Sequence, residues 1–348
     1  MNTPDILVVN TGSTSTKLAL YRGERPSAST VITHPPPSGG IWDDFPARRE
    51  AVRAWARSQS TTPAAIGAIG GLLRPLKGGT YRVTPRMVQD ARANLQGEHA
   101  SNLACAVAQE LAAEFHCEAY VVDPVSVDEF EPLARYSGHP LITRRSLSHA
   151  LNIHATARRV ARELGRPLEQ TRMIVAHLGG GISVAPLAGG RIIDINDASS
   201  DGPFSPERTG GLPLQPFITL CMEGTRSEAE LRRLVMGAGG LLAYLGTTSA
   251  PEIEQRIDRG DESAREVFEA MAYQIAKEIG AMATVLRGAL DAIVLTGGLA
   301  GSARLTGWIR ERIAFLAPVI VAPGQDEMEA LALGVLRVLR GEDSAHDY

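Results

Sequence analysis

Three short segments combine glycines with hydroxyl, amide or basic side chains: Asn10-Thr11-Gly12-Ser13-Thr14-Ser15-Thr16-Lys17, His177-Leu178-Gly179-Gly180-Gly181 and Thr296-Gly297-Gly298. Backbone N–H groups in such turns, together with Ser/Thr hydroxyls and a lysine, can hold phosphate oxygens. One turn of this kind is most often only a loop. Three of them, two related by an internal repeat, point to a nucleotide bound in a cleft between two domains. No GxxxxGK[ST] segment and no GxGxxG after a strand is present, so P-loop and dinucleotide readings lose their usual support. Lys17 is one of only three lysines, with Lys77 and Lys277, among 35 basic residues. The arginine bias as a whole reads as genomic composition, and Lys17 stands out by its neighbours.

These turns must be positioned by regular elements. Residues 6–9 form a β-branched apolar run and 18–21 resume it, so 6–21 reads as a β-hairpin with a polar tip spanning 10–17. Residues 174–185 lay onto 7–18 without a gap, His177 over Asn10 and Gly179 over Gly12, an offset of 177 − 10 = 167. Two such hairpins half a chain apart predict a duplicated fold. Helices are expected over 98–115, 146–164, 263–287 and 327–340, with Arg158 and Arg159 on a solvated face. Strands are expected over 119–122, closed by Asp123-Pro124, and over 292–295; residues 35–40 read as a loop. Strands alternating with helices predict α/β layers.

The 348 residues suggest about two domains. Basic and acidic residues number 35 and 39, a net charge of −4. That balance gives no global field for nucleic acid or an anionic membrane. Cys105, Cys117 and Cys221 lack metal-ligand spacing and indicate no disulfide framework. No apolar run approaches the roughly 18 residues of a membrane span, and the first ten residues do not read as a signal peptide. A soluble, cytoplasmic protein is expected.

Together with Gly202-Pro203-Phe204-Ser205-Pro206-Glu207-Arg208-Thr209-Gly210-Gly211-Leu212-Pro213, the three turns resemble the acetokinase family from about residue 5 to residue 340. The resemblance implies two duplicated actin-like ATPase or sugar-kinase-like domains, 1–147 and 148–328, with 329–348 returning to the first. It implies transfer of the ATP γ-phosphate to a short-chain carboxylate, butyrate or a branched-chain acid, and at least a homodimer. Gly12, Ser13, Thr14, Ser15, Lys17, Gly179, Gly180, Gly181, Thr296, Gly297 and Gly298 would bind nucleotide. Arg208 matches the family's catalytic arginine, His177 and His149 match active-site histidines, and Asp123 and Glu327 match acidic residues associated with Mg²⁺. By itself, His149 reads as a core histidine on an apolar helix.

The chemistry agrees. A carboxylic acid with a pKa of about 4 to 5 is already an ionised nucleophile at pH 7, so no general base is required. The obstacle is repulsion, about 4 kcal/mol for one carboxylate and one phosphate charge ~4 Å apart at an effective dielectric near 20. Cations and oriented donors must offset it. Arg208 suits that task because a planar, charged fork fits carboxylate and phosphoryl oxygens alike. Asn10 stands where related kinases usually carry an aspartate, removing a negative charge from the path of an anionic substrate. Two departures stand out: Thr11 replaces a usual proline, and Ile69 occupies the place of an arginine expected before Gly70-Gly71, with Arg74 as a candidate substitute. A nucleotide-binding protein without acyl kinase turnover therefore stays open beside the enzyme; Asn10 counts against a sugar kinase.

Overall fold

The computed structural model describes residues 3–35, 39–324 and 326–348. The centre of the expected loop at 35–40 lies outside the described residues. The apolar run near the N-terminus becomes β1 (Asp5–Thr11), buried from Ile6 onward. A strand buried on both faces belongs in the middle of a sheet, and β-branched residues fill its two surfaces. It pairs antiparallel with β2 (Ser15–Arg22), which pairs antiparallel with β3 (Arg25–Thr33). On its other side β1 runs parallel to β4 (Ala65–Ile69), and β4 to β6 (Glu118–Val122), with β5 (Thr80–Arg82) antiparallel at the edge. The sheet order is β3-β2-β1-β4-β6-β5.

The second sheet repeats this plan. β7 (Arg172–Leu178) pairs antiparallel with β8 (Ile182–Ala188), and β8 with β9 (Arg191–Ile192). β10 (Ala292–Gly297) runs parallel to β7, and β11 (Val319–Pro323) parallel to β10. Apart from the added edge strand β5, the two sheets have the same order and strand directions, β3-β2-β1-β4-β6 in the first corresponding to β9-β8-β7-β10-β11 in the second, which confirms the expected duplication. The bounds of β1 and β7 coincide at the offset of 167. One compact unit takes in the residues up to Asp128, Ala150–Asn152 and Asp326–Tyr348; the other takes in Glu129–His149 and Ile153–Gln325. Contacts thus group residues 129–149 with the second unit.

In the first unit, Leu7, Val9, Leu18 and Leu20 project from one sheet face into a core with Phe45 and Val52 of the helix Phe45–Ser58 and Leu103, Val107 and Leu111 of the helix Asn102–Phe115. The helix Glu327–Leu339 packs on the strands of the same sheet. It starts with Asp326, whose Oδ1 accepts the Glu329 N–H at 2.8 Å, and approaches closely at Gly334. In the second unit, Phe268, Met271, Ile275, Ile279 and Met282 line one face of the helix Glu262–Val285 and pack with Ile174, Ala176, Leu178 and Val184 of β7 and β8.

Two helices begin later than their apolar spacing suggests. The one expected from residue 98 starts at Asn102, whose Oδ1 accepts the Leu72 N–H at 2.7 Å and whose amide donates to Gly97 O at 3.1 Å. These bonds fix the preceding turn. The one expected from 146 starts at Ala150, so His149 is its N-cap and not a core residue of its apolar face. Arg158 is partly buried and only Arg159 is exposed. No helix among the described residues is long and apolar enough to cross a membrane.

A Cβ placed on Gly334 would lie 2.5 Å from Val122 Cγ1 and 2.8 Å from Cγ2. Gly334→Val is expected to destabilise the protein by about 2 kcal/mol or more through overpacking. Urea denaturation checks this, and an unchanged midpoint would show that the helix is not held at that distance.

Candidate functional site

In the first unit, Asn10, Ile69 and Asp123 lie at the carboxyl ends of three adjacent parallel strands, since Val9 pairs with Ala68 and Ile69 with Val122. Asn10 is buried, and its Nδ2 donates to Glu327 Oε2 at 2.7 Å, joining residues 317 positions apart. Lys17 is directly opposite Asn10 in the β1–β2 pair and exposed, so both project from one face. The tip closes by a Gly12 N–H bond to Ser15 O at 2.7 Å. Of the expected turn, Asn10 and Thr11 complete β1 and Ser15 to Lys17 begin β2. Behind the tip is Arg48, 2% exposed, donating to Gly12 O and Ser13 O at 2.7 Å each.

Asp123 is buried at φ +39°, with Oδ1 accepting the Gly79 N–H at 2.7 Å. Glu327 opens its helix as expected. No group of three or more His, Cys, Asp or Glu side chains that could hold a metal ion occurs among the described residues. Mg²⁺ does not require one, because it keeps several waters and takes one or two carboxylates plus substrate phosphates. The Asn10–Glu327 contact fits that pattern: it commits the amide nitrogen to the carboxylate and leaves Asn10 Oδ1 as an oxygen acceptor. Arg74 does not replace the arginine missing at 69. Its Nε is paired with Asp90 Oδ2 at 2.5 Å, and its N–H donates to Tyr348 Oη at 3.1 Å.

The second unit gathers the two histidines and the arginine. The rings of His149 and His177 stack at 3.9 Å between centroids and 12° between planes. His149 Nδ1 is 3.0 Å from Ser183 Oγ, and Ser183 is the strand partner of His177. Burial, and then the charge of Arg208, push the His149 pKa down to about 4. Burial, and then His149, hold His177 well below the usual histidine range. Both imidazoles are therefore neutral at pH 7.

Arg208 Nη1 donates to Ala198 O at 3.1 Å, while its buried Nε has no partner among the described residues. Burial lowers its pKa, and the carboxylates of Glu207 and Asp197 act in the opposite sense. Gly181 makes room for the guanidinium: a Cβ there would lie 2.7 Å from Arg208 Cζ. The third turn stands beside the second because Thr296 pairs with His177. Gly297 adopts φ +90°, and a Cβ on it would lie 2.8 Å from Leu178 N. Gly179 to Gly181 form the tip between β7 and β8, and Gly298 opens a short 3₁₀ turn.

The structure therefore brings His149, His177, Arg208, Gly181, Thr296 and Gly297 into one neighbourhood, and Asn10 with Glu327 into another. The ungapped overlay slips on the return strands. The first tip leaves four residues between paired Thr11 and Thr16, the second three between Leu178 and Ile182. Ser183, not Val184, thus corresponds to Lys17. Sequence reasoning also missed Arg48 and the hydroxyl of Ser205, which donates to Gly180 O at 2.5 Å. Neither has a spacing signature, although Ser205 falls inside the block that contains Arg208.

Two outcomes follow. Gly181→Ala is expected to displace the Arg208 guanidinium, visible as altered side-chain placement in a crystal structure of the variant. The second concerns acid. In the unfolded chain His149 takes a proton below about 6.5, whereas in the folded protein it does so only near 4, so stability is intact above 6.5 and falls as pH drops through this window. The loss from His149 reaches up to about 2 kcal/mol at pH 5. Urea titrations at pH 7 and pH 5 check it, with His149→Gln showing a smaller loss.

Residues 133–315 match the acetokinase family. The chain is 45% identical over 353 residues to a protein of Listeria monocytogenes serotype 4a named probable butyrate kinase, covering 99% of each chain. It is 47% identical over 350 residues to probable butyrate kinase 2 of Caldanaerobacter subterraneus subsp. tengcongensis, again covering 99% of each. The acetate kinase of Porphyromonas gingivalis shares the fold at a TM-score of 0.78 and 19% identity, over 97% of this chain and 100% of that one. With its motifs, its duplicated sheets and full-length relatives in agreement, the chain belongs to the acetokinase family.

Proposed function

We propose that the protein transfers the γ-phosphoryl group of ATP to a short-chain carboxylate, butyrate or a branched-chain acid, giving an acyl phosphate by direct in-line transfer. The observation that carries this reading is the half-buried Arg208 beside two stacked neutral histidines. The full-length relatives named probable butyrate kinase support it. The carboxylate is the nucleophile and needs no deprotonation. Arg208 offsets its repulsion from phosphate and follows charge onto the equatorial oxygens in the transition state. Neutral His149 and His177 donate N–H bonds to the transferring group without giving up a proton, and the product requires none.

The turns at Gly12 to Lys17, Gly179 to Gly181 and Thr296 to Gly298 hold the nucleotide phosphates. Glu327 and Asp123 supply hard oxygen donors for Mg²⁺, with Asn10 orienting Glu327; when bound, Mg²⁺ neutralises phosphate charge. The protein acts in the cytoplasm as a homodimer or larger homo-oligomer. A second reading, nucleotide binding without turnover, is favoured by one observation: Ile69 sits at the strand end between Asn10 and Asp123.

Trapping with hydroxylamine in the presence of ATP, Mg²⁺ and a panel of straight and branched acids tests the activity. Acyl hydroxamate is expected with four- or five-carbon acids, and ATP binding with no product from any acid would establish the second reading. Arg208→Ala is expected to lower kcat about 10²- to 10³-fold with a much smaller change in nucleotide KM. An unchanged kcat would remove Arg208 from the mechanism.

A further inference from the structure

We propose that Arg48 is a positioning residue for nucleotide phosphate, acting through the backbone of the Gly12–Ser13–Thr14 turn; this rests on the reading of that turn as a phosphate site. Arg48 lies in the helix Phe45–Ser58, 36 positions from Gly12, and is 2% exposed. A buried arginine ordinarily satisfies a carboxylate. Asp44 is the carboxylate that acts on its charge, yet the guanidinium bonds go to Gly12 O through Nη1 and Ser13 O through Nη2, both at 2.7 Å. Each nitrogen holds a different peptide plane.

The consequence follows from peptide geometry. In a trans peptide the C=O of one residue and the N–H of the next point in opposite directions. No cis peptide occurs among the described residues. Drawing Gly12 O and Ser13 O toward Arg48 turns the N–H groups of Ser13 and Thr14 away from it, and both of these residues are exposed. Rotation of either plane would replace an outward donor with a carbonyl oxygen, which repels an anion. A planar fork with two donors fixes both planes at once, and a lysine, with one compact charge, does not reproduce that geometry. The second hairpin uses the same device with a neutral group: Ser205 Oγ holds Gly180 O at 2.5 Å and so turns the Gly181 N–H away.

The test compares wild type, Arg48→Met and Arg48→Lys in the full-length protein. The readouts are ATP Kd by calorimetry, nucleotide KM and kcat by hydroxamate trapping, and melting temperature without nucleotide. Loss of two bonds to a charged group is expected to raise the Kd and KM for ATP roughly tenfold or more in Arg48→Met, with a smaller change in kcat. Arg48→Lys is expected to lose most of that affinity despite keeping the charge, and added guanidinium to restore part of it in Arg48→Met. ATP affinity unchanged in Arg48→Lys overturns the inference, even where Arg48→Met does not fold. A lower melting temperature with unchanged Kd overturns it as well, assigning Arg48 to stability alone. Wild type that binds ATP but yields no acyl phosphate refutes the proposed reaction, and the Kd comparison still decides the role of Arg48.

Discussion

A guanidinium packed against a bare glycine is the constraint on which the second unit depends. Arg208 occupies the space that a side chain at position 181 would fill, and Gly181 is part of the tip joining β7 to β8. The hairpin and the arginine loop are therefore one packed object. Burial would favour loss of the charge, but arginine does not deprotonate in this range. The site instead keeps a cation whose Nη1 donates to Ala198 O and whose Nε has no partner among the described residues. Nearby titratable groups adjust to it. His149 stays neutral through burial first and then the charge of Arg208, and His177 through burial first and then its neighbour His149.

Duplication explains why chemistry collects at equivalent places. Each sheet has a central strand whose penultimate residue is polar and buried: Asn10 in β1 and His177 in β7. In each case the directly opposed residue on the return strand faces the same way, Lys17 in one hairpin and Ser183 in the other. Carboxyl ends of parallel strands are where α/β sheets present side chains to ligands. The two copies have used those positions differently. The first carries an amide, a carboxylate partner and a lysine; the second carries imidazoles and an arginine.

Much of this was readable from the chain. The strand runs, the glycine turns and the repeat at an offset of 167 are local patterns, and they located β1, β2, β7, β8 and β10 to within a few residues. Helix starts were less legible. Apolar spacing continues through residues 98–101 and 146–149, but bonds made by Asn102 to Leu72 and Gly97, and the N-cap position of His149, set the actual ends. Spacing records which residues prefer burial and does not record where backbone groups find their partners.

The sequence by itself determined the chemical inventory: which glycines, hydroxyls, histidines and arginines the protein owns, and the blocks that identify its family. Tertiary structure decided which of them meet. Arg48 reaches two carbonyls more than thirty residues away, Arg74 is held by Asp90, and Asn10 finds Glu327 across 317 positions. Propensity and periodicity act over a few residues, whereas an ion pair or a backbone clamp depends only on distance in space. The chain lists its donors and acceptors, and folding assigns their partners.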